Sequence, residues 1–277
     1  MHTGTLKKLA LALTFWLALH ASSLKAQLLG PFGSDSTVFE VDANGLLSST
    51  GTTGGTLSLS GAGTRMFWFP GKAAFRAGSV SGTQWDAANV AFYSVAMGQN
   101  TIASGFDSTA FGISTTASSN AAFAAGNATV ASSFGSIALG NLTVASGGES
   151  MATGTNTIAS GLATTAMGGY TTASGYYATA LGVVTVASGN YSTASGYYTT
   201  AAALSSFAVG QWNVGNGNRS TWVPTDPLFE VGNGASATAK ADALVVYKNG
   251  NSQVHGTFRC AAGGDISMGS FTAGTHP

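Results

Sequence analysis

An all-β solenoid of about nine 14-residue coils is the fold this sequence predicts, and three observations predict it. A 14-residue period runs without interruption from Ser94 to Arg219. Ala and Gly recur at fixed places within that period. Only 7% of the 277 residues are Asp, Glu, Lys or Arg, against roughly 25% in an ordinary soluble protein, so the core must be built from small side chains.

The first unit reads SVAMGQNTIASGFD (94–107), and the fourth, SIALGNLTVASGGE (136–149), is nearly the same. With places 1 to 14 counted within each unit, Ala fills place 3 in all nine, from Ala96 to Ala208, and place 10 in eight, from Ala103 to Ala201. Gly holds place 5 nine times, from Gly98 to Gly210, and place 12 in six units, with Ser119, Ser133 and Ala203 as the exceptions. Each unit therefore reads as two half-turns of seven residues, each a short β run ending in Gly. A Gly two residues after each Ala suits a sharp corner, where φ is positive or backbones approach closely.

Side chains alternate along a strand, so place 3, always Ala, faces opposite to places 2 and 4. A coil this short makes a thin tube that Ala fits. Stacked ~4.8 Å apart, nine coils make a rod about 40 Å long. The larger apolar residues at places 2 and 4 then point outward: Val95, Met97, Phe111, Phe123, Ile137, Leu139, Met151, Met167, Leu181, Phe207 and Val209. Such a stripe marks an interaction face and predicts an obligate oligomer. The alternative is a monomer whose stripe is covered by terminal segments. Thr at place 8, from Thr101 to Thr199, shares the face of the inward Ala, which turns that hydroxyl ladder inside.

Before the repeats, Lys7 and Lys8 precede an apolar run from Leu9 to Leu19, and small and polar residues follow to Ala26. That is the layout of a secretory signal peptide over 1–26, with Ser23 as a second cleavage point and an uncleaved anchor as the alternative. Secretion places the mature chain outside the cell or at its surface. An N-terminal β module and cap is expected over 27–80, the roll over 81–219 and a β-hairpin module over 220–277. Phe39-Glu40-Val41 recurs as Phe229-Glu230-Val231, and Asn44-Gly45, Asn233-Gly234 and Asn249-Gly250 read as hairpin turns. These modules would cap the open ends of the roll. One cysteine, Cys260, permits no intramolecular disulfide.

Units such as SVAMGQNTIASG and SIALGNLTVASG resemble the repeats of YadA-like heads of trimeric autotransporter adhesins over residues 94–219. The flank GAGTRMFWFPGKAAFRAGSVSGTQWD (61–86) resembles the segment that precedes such rolls in bacterial surface proteins. The resemblance implies a left-handed parallel β-roll, three rolls about a common axis, with places 2 and 4 facing that axis. It further implies a homotrimer that attaches to a host, matrix or cell-surface protein or glycan. Residues 220–277 show neither the heptads of a stalk nor the alternating strands of a membrane barrel, a departure from the family that puts self-anchoring in doubt.

Charge and chemistry exclude other classes. Ten acidic and ten basic residues cancel, leaving no field to draw in nucleic acid. Between 94 and 219 the only charged residues are Asp107, Glu149 and Arg219, with no His and no Cys, so no catalytic, metal-binding or cofactor site is expected and the protein is not expected to be an enzyme. Tyr170, Tyr176, Tyr177, Tyr191, Tyr197 and Tyr198 cluster in three adjacent coils at corner positions. They suit recognition of a protein or glycan and equally suit packing between chains. Arg65, Lys72 and Arg76 with Trp68 and Trp85 read as a polar cap or as a site for an acidic glycan. The alternatives to adhesion are a structural fibre segment with no receptor of its own and an ice-binding solenoid.

Overall fold

The structure, a computed structural model, describes residues 57–256 together with the backbone of two antiparallel strands, Phe39–Val41 and Leu47–Ser49, which flank Asn44-Gly45. The expected signal peptide, Cys260 and His276 lie outside the described residues. No helix among the described residues is long and apolar enough to cross a membrane.

The repeats form an all-β parallel solenoid with two unequal walls. Places 2 to 6 make five-residue strands, from Val95–Gln99 to Phe207–Gln211, which stack in parallel as a broad wall. Places 9 and 10 make strands of only two residues, from Ile102–Ala103 to Thr200–Ala201, stacked as a narrow wall of eight. Eight coils are thus complete. The ninth contributes a broad-wall strand, but no narrow-wall strand follows it. Like pairs with like along the whole rod: Ala96 sits beside Ala110 and Ala103 beside Ala117. The place-3 and place-10 alanines are all fully buried in one continuous core. Inside the tube lie these methyl groups and the small Ser and Thr side chains of places 1 and 8, buried with them.

The corners differ from the sequence expectation. Place-5 Gly lies inside the five-residue strand, while the left-handed turns fall at places 7 and 14 on residues of many kinds: Asn100, Leu142, Tyr170, Val184 and Trp212 at one corner, Asp107, Glu149, Tyr177 and Tyr191 at the other. What place 5 requires is close approach. A Cβ added to Gly140, whose φ is +122°, would lie 2.1 Å from the carbonyl oxygen of Gly154. Place 12 is as tight where it is Gly, a Cβ on Gly147 falling 1.8 Å from the Gly161 carbonyl oxygen, but the sequence also admits Ser and Ala there. There the Gly147 N–H reaches the next coil's Ala159 carbonyl at 3.2 Å, whereas Ser133 turns its N–H to Ser136 Oγ, also at 3.2 Å.

Both flanks continue the broad wall. The hairpin Gly63–Phe69/Ala74–Val80 lays its second strand parallel to the first coil, with Phe75, Arg76, Ala77 and Gly78 opposite Val95, Ala96, Met97 and Gly98. At the far end Pro227–Asn233 runs parallel to the ninth strand, with Phe229, Glu230, Val231 and Gly232 opposite Phe207, Ala208, Val209 and Gly210. Asp242–Tyr247 and Ser252–Val254 then add antiparallel strands. Asn249-Gly250 is the turn between these two, but Asn233 ends a strand whose partner comes only after residues 234–241, so Asn233-Gly234 is no two-residue hairpin turn.

Each flank therefore puts a charged residue where the coils have alanine, and each plugs an end of the tube. Arg76 is fully buried. Its guanidinium donates to the carbonyls of Ser94 at 2.9 Å and Ala103 at 3.0 Å and to Ser94 Oγ at 2.9 Å. Trp85, 1% exposed, donates its indole N–H to the Thr101 carbonyl at 2.9 Å. At the other end Asn213 pairs with the last narrow strand as a backbone would: the Thr200 N–H donates to Oδ1 at 2.7 Å and Nδ2 donates to the Thr200 carbonyl at 2.8 Å. Glu230, 2% exposed, accepts from Asn213 Nδ2 at 2.8 Å and from the Gly215 N–H at 3.3 Å.

Candidate binding surfaces

The broad wall presents its places 2 and 4 away from the tube, as alternation about the buried alanines requires. Met97, Met167 and Phe207 are 40–42% exposed. Val95, Phe111, Phe123, Ile137, Leu139, Met151, Leu181 and Val209 are half-buried, covered only by neighbours in the same column. Phe111 and Phe123 meet edge to face at 6.1 Å. No charged residue occurs in any of the coils' five-residue strands.

The column does not stop at the repeats. Phe75 and Ala77 extend it past Val95 and Met97, and Phe229 and Val231 extend it past Phe207 and Val209; Phe207 and Phe229 stack at 5.7 Å. The sequence carried the signal: Phe75-Arg76-Ala77-Gly78 and Phe229-Glu230-Val231-Gly232 keep the place-2, place-4 and place-5 pattern of a coil with only the Ala exchanged.

The tyrosines fall on two different corners. Tyr170 and Tyr198 occupy place 7 with Trp212, and Tyr197 precedes Tyr198. Tyr198 stacks on Trp212 at 3.7 Å, and Tyr197 stands edge-on to Tyr198 at 4.5 Å. Tyr177 and Tyr191 occupy place 14, stacked at 5.5 Å with rings 3° from parallel, beside Tyr176. Tyr170 is the most exposed, at 61%. The broad wall lies between the two groups. Tyr170, Tyr177, Tyr191 and Tyr198 have φ between 54° and 59°, a conformation that costs an ordinary side chain roughly 1–2 kcal/mol. A corner built for stability alone would favour Gly or Asn. At the N-terminal end of the place-14 corner lies a second aromatic group that sequence reading missed: Phe92, Tyr93 and Phe106, all exposed, with Tyr93 edge-on to Phe106 at 5.1 Å. Tyr93 continues the place-14 register one coil before the repeats begin.

The basic residues of the N-terminal flank are turned to the protein itself. Arg76 and Trp85 are the buried plug, Lys72 Nζ donates to the carbonyls of Val90 and Ala87, and Arg65 donates to that of Gly61. Burial lowers the Arg76 pKa from 12.5 to about 10, so it stays charged at neutral pH. Burial and then the neighbouring Asp242 raise the Glu230 carboxyl from 4.5 to about 7. Among the described residues no group of three or more His, Cys, Asp or Glu is placed to hold a metal ion. The place-8 threonines, Thr101 to Thr199, are fully buried, so that hydroxyl ladder offers nothing to ice.

A periodic tube of this kind, with Ala inside and an apolar wall outside, finds a counterpart among known domain repeats. The YadA head domain repeat (2 copies) matches residues 103–129, 131–157, 159–183 and 187–211. This chain carries a YadA-like head. The matched residues cover the broad-wall strands from Thr109–Ile113 to Phe207–Gln211 and most of the narrow wall; the first strand, Val95–Gln99, and the two plugs of the YadA-like head lie outside them. No curated protein matches the chain.

Proposed function

We propose that the chain is the head of a surface-displayed or released adhesin that works as a homotrimer, its broad walls packed about a common axis and its corners turned to a host, matrix or cell-surface protein or glycan. The observation that carries this reading is the broad wall itself. It is apolar at places 2 and 4, free of charge along every coil, and continuous through both plugs. Burying it desolvates no ion and removes a long apolar stripe from water. The strained corner tyrosines support the contact role, because side chains held against backbone preference concentrate where function needs them. Three equivalent ridges would gain by avidity what single contacts lack.

Two measurements test it. Light scattering of the mature chain is expected to give three times the chain mass, and Leu139→Glu with Leu181→Glu is expected to yield monomer or aggregate; a well-folded wild-type monomer overturns the assembly. Immobilised matrix proteins and glycans are then expected to bind the trimer saturably, with loss on replacing Tyr170, Tyr177 and Tyr191 by Ala. Assembly without binding to any of them favours the second reading, a structural fibre segment.

A further inference from the structure

The tube holds two sets of buried hydroxyls, and the protein treats them differently. At place 1 the hydroxyls are bonded within their own turn: Ser150 Oγ donates to the Gly147 carbonyl at 2.7 Å, Ser192 Oγ to that of Gly189 at 2.7 Å, and Thr164 Oγ1 to that of Gly161 at 2.9 Å. At place 8 the Oγ1 atoms of Thr101, Thr115, Thr129, Thr143, Thr157, Thr171, Thr185 and Thr199 are all buried and meet no hydrogen-bond partner in the protein. A single orphaned hydroxyl can be tolerated. Eight in one column, each stripped of water with no partner in exchange if left dry, would be a large and needless burden, since Val has the same shape.

The column's geometry supplies a remedy. Parallel strands stack ~4.8 Å apart, too far for one hydroxyl to reach the next. Two O–H···O bonds of about 2.8 Å span that step with an oxygen atom set aside by about 1.4 Å. We infer that the place-8 threonines bind a single file of buried water molecules, one in each interval of the column, every threonine between Thr101 and Thr199 donating to one water and accepting from the other and these two end residues meeting one water each. Each water then has two threonine partners, which meets the lower limit for a buried water. Eight threonines leave seven such intervals. Both ends are shut: Trp85 donates to the carbonyl of Thr101, and Asn213, fully buried, takes place 8 after Thr199. Water so enclosed exchanges slowly.

Oxygen-17 magnetic relaxation dispersion on the full chain reads out water that stays longer than the protein's tumbling time. Wild type is expected to show long-lived waters, and the double variant Thr143→Val/Thr157→Val, which interrupts three adjacent intervals, to lose about three-sevenths of the file's amplitude, with Tm unchanged or lowered. A wild-type profile without long-lived water overturns the inference. So does an unchanged dispersion amplitude in the double variant, or a rise in Tm, because a dry hydroxyl replaced by methyl stabilises. Thr143→Ser/Thr157→Ser keeps the hydroxyls and removes only the methyl groups; it is expected to retain the amplitude, and its loss there counts equally against the file.

Discussion

The two ends of the rod solve one problem with opposite chemistry. At the N-terminal end the first narrow strand shows carbonyl oxygens, and the groups that meet them, the Arg76 guanidinium and the Trp85 indole, can only donate. At the C-terminal end Thr200 shows an N–H and a carbonyl together, and the group that meets it is a carboxamide, which does both. Behind Asn213 stands Glu230, an acceptor that holds the Nδ2 side of the amide in place. An open solenoid end is an unpaired sheet edge and a template for aggregation. The difference between the plugs shows that an edge is closed by matching its donors and acceptors; covering it with apolar bulk would leave them unmet.

The widest separation between the ends should come from Arg76→Met. It keeps the packing volume but removes the guanidinium's bonds to Ser94 Oγ and to the carbonyls of Ser94 and Ala103, which are left with only the backbone N–H groups of Phe75 and Ala91 as donors; it is expected to cost about 3–5 kcal/mol of stability, read as a lowered denaturation midpoint with faster amide exchange in the first coils only. The C-terminal plug should answer to pH instead. Glu230 titrates near 7 when folded and near 4.5 when unfolded, so its contribution is complete below about pH 4.5 and is lost as pH rises through 7. Asp242, also raised by burial, adds in the same direction. The loss amounts to roughly 3 kcal/mol for Glu230. Thermal melts from pH 4 to 8 should show it, and Glu230→Gln should flatten the profile while leaving the N-terminal coils untouched; a wild-type midpoint that climbs over this range contradicts the assignment. The smallest effect belongs to Trp85→Phe, which deletes one N–H donor to Thr101 and is expected to cost about 1–2 kcal/mol, seen by exchange at the first narrow strand.

Much of this was legible in the residues. The period located every coil, and alternation about Ala96, Ala110 and their successors separated lumen from surface. Two features were not. The left-handed corners sit on Tyr, Val, Leu and Trp, residues that avoid that conformation, so composition pointed to the glycines, which answer to a different constraint: the next coil's carbonyl lies where their Cβ would be. The plugs were obscured for a related reason. Arg76 and Glu230 break the Ala rule on which the repeat was recognised, so the coil-like pattern of the residues around them is read as such only once strand register is known. The tyrosines gathered along the sequence divide in space because places 7 and 14 are opposite corners of one loop of chain.

The place-7 corner accepts Asn, Ser, Ala, Leu, Tyr, Val and Trp on a backbone that scarcely changes, with φ between 46° and 55° throughout. Shape and surface are thereby decoupled. A lineage, or an engineer, can rewrite the outward text of this rod one rung at a time, at a spacing fixed by the strands, without editing the alanine spine that keeps the rungs in line.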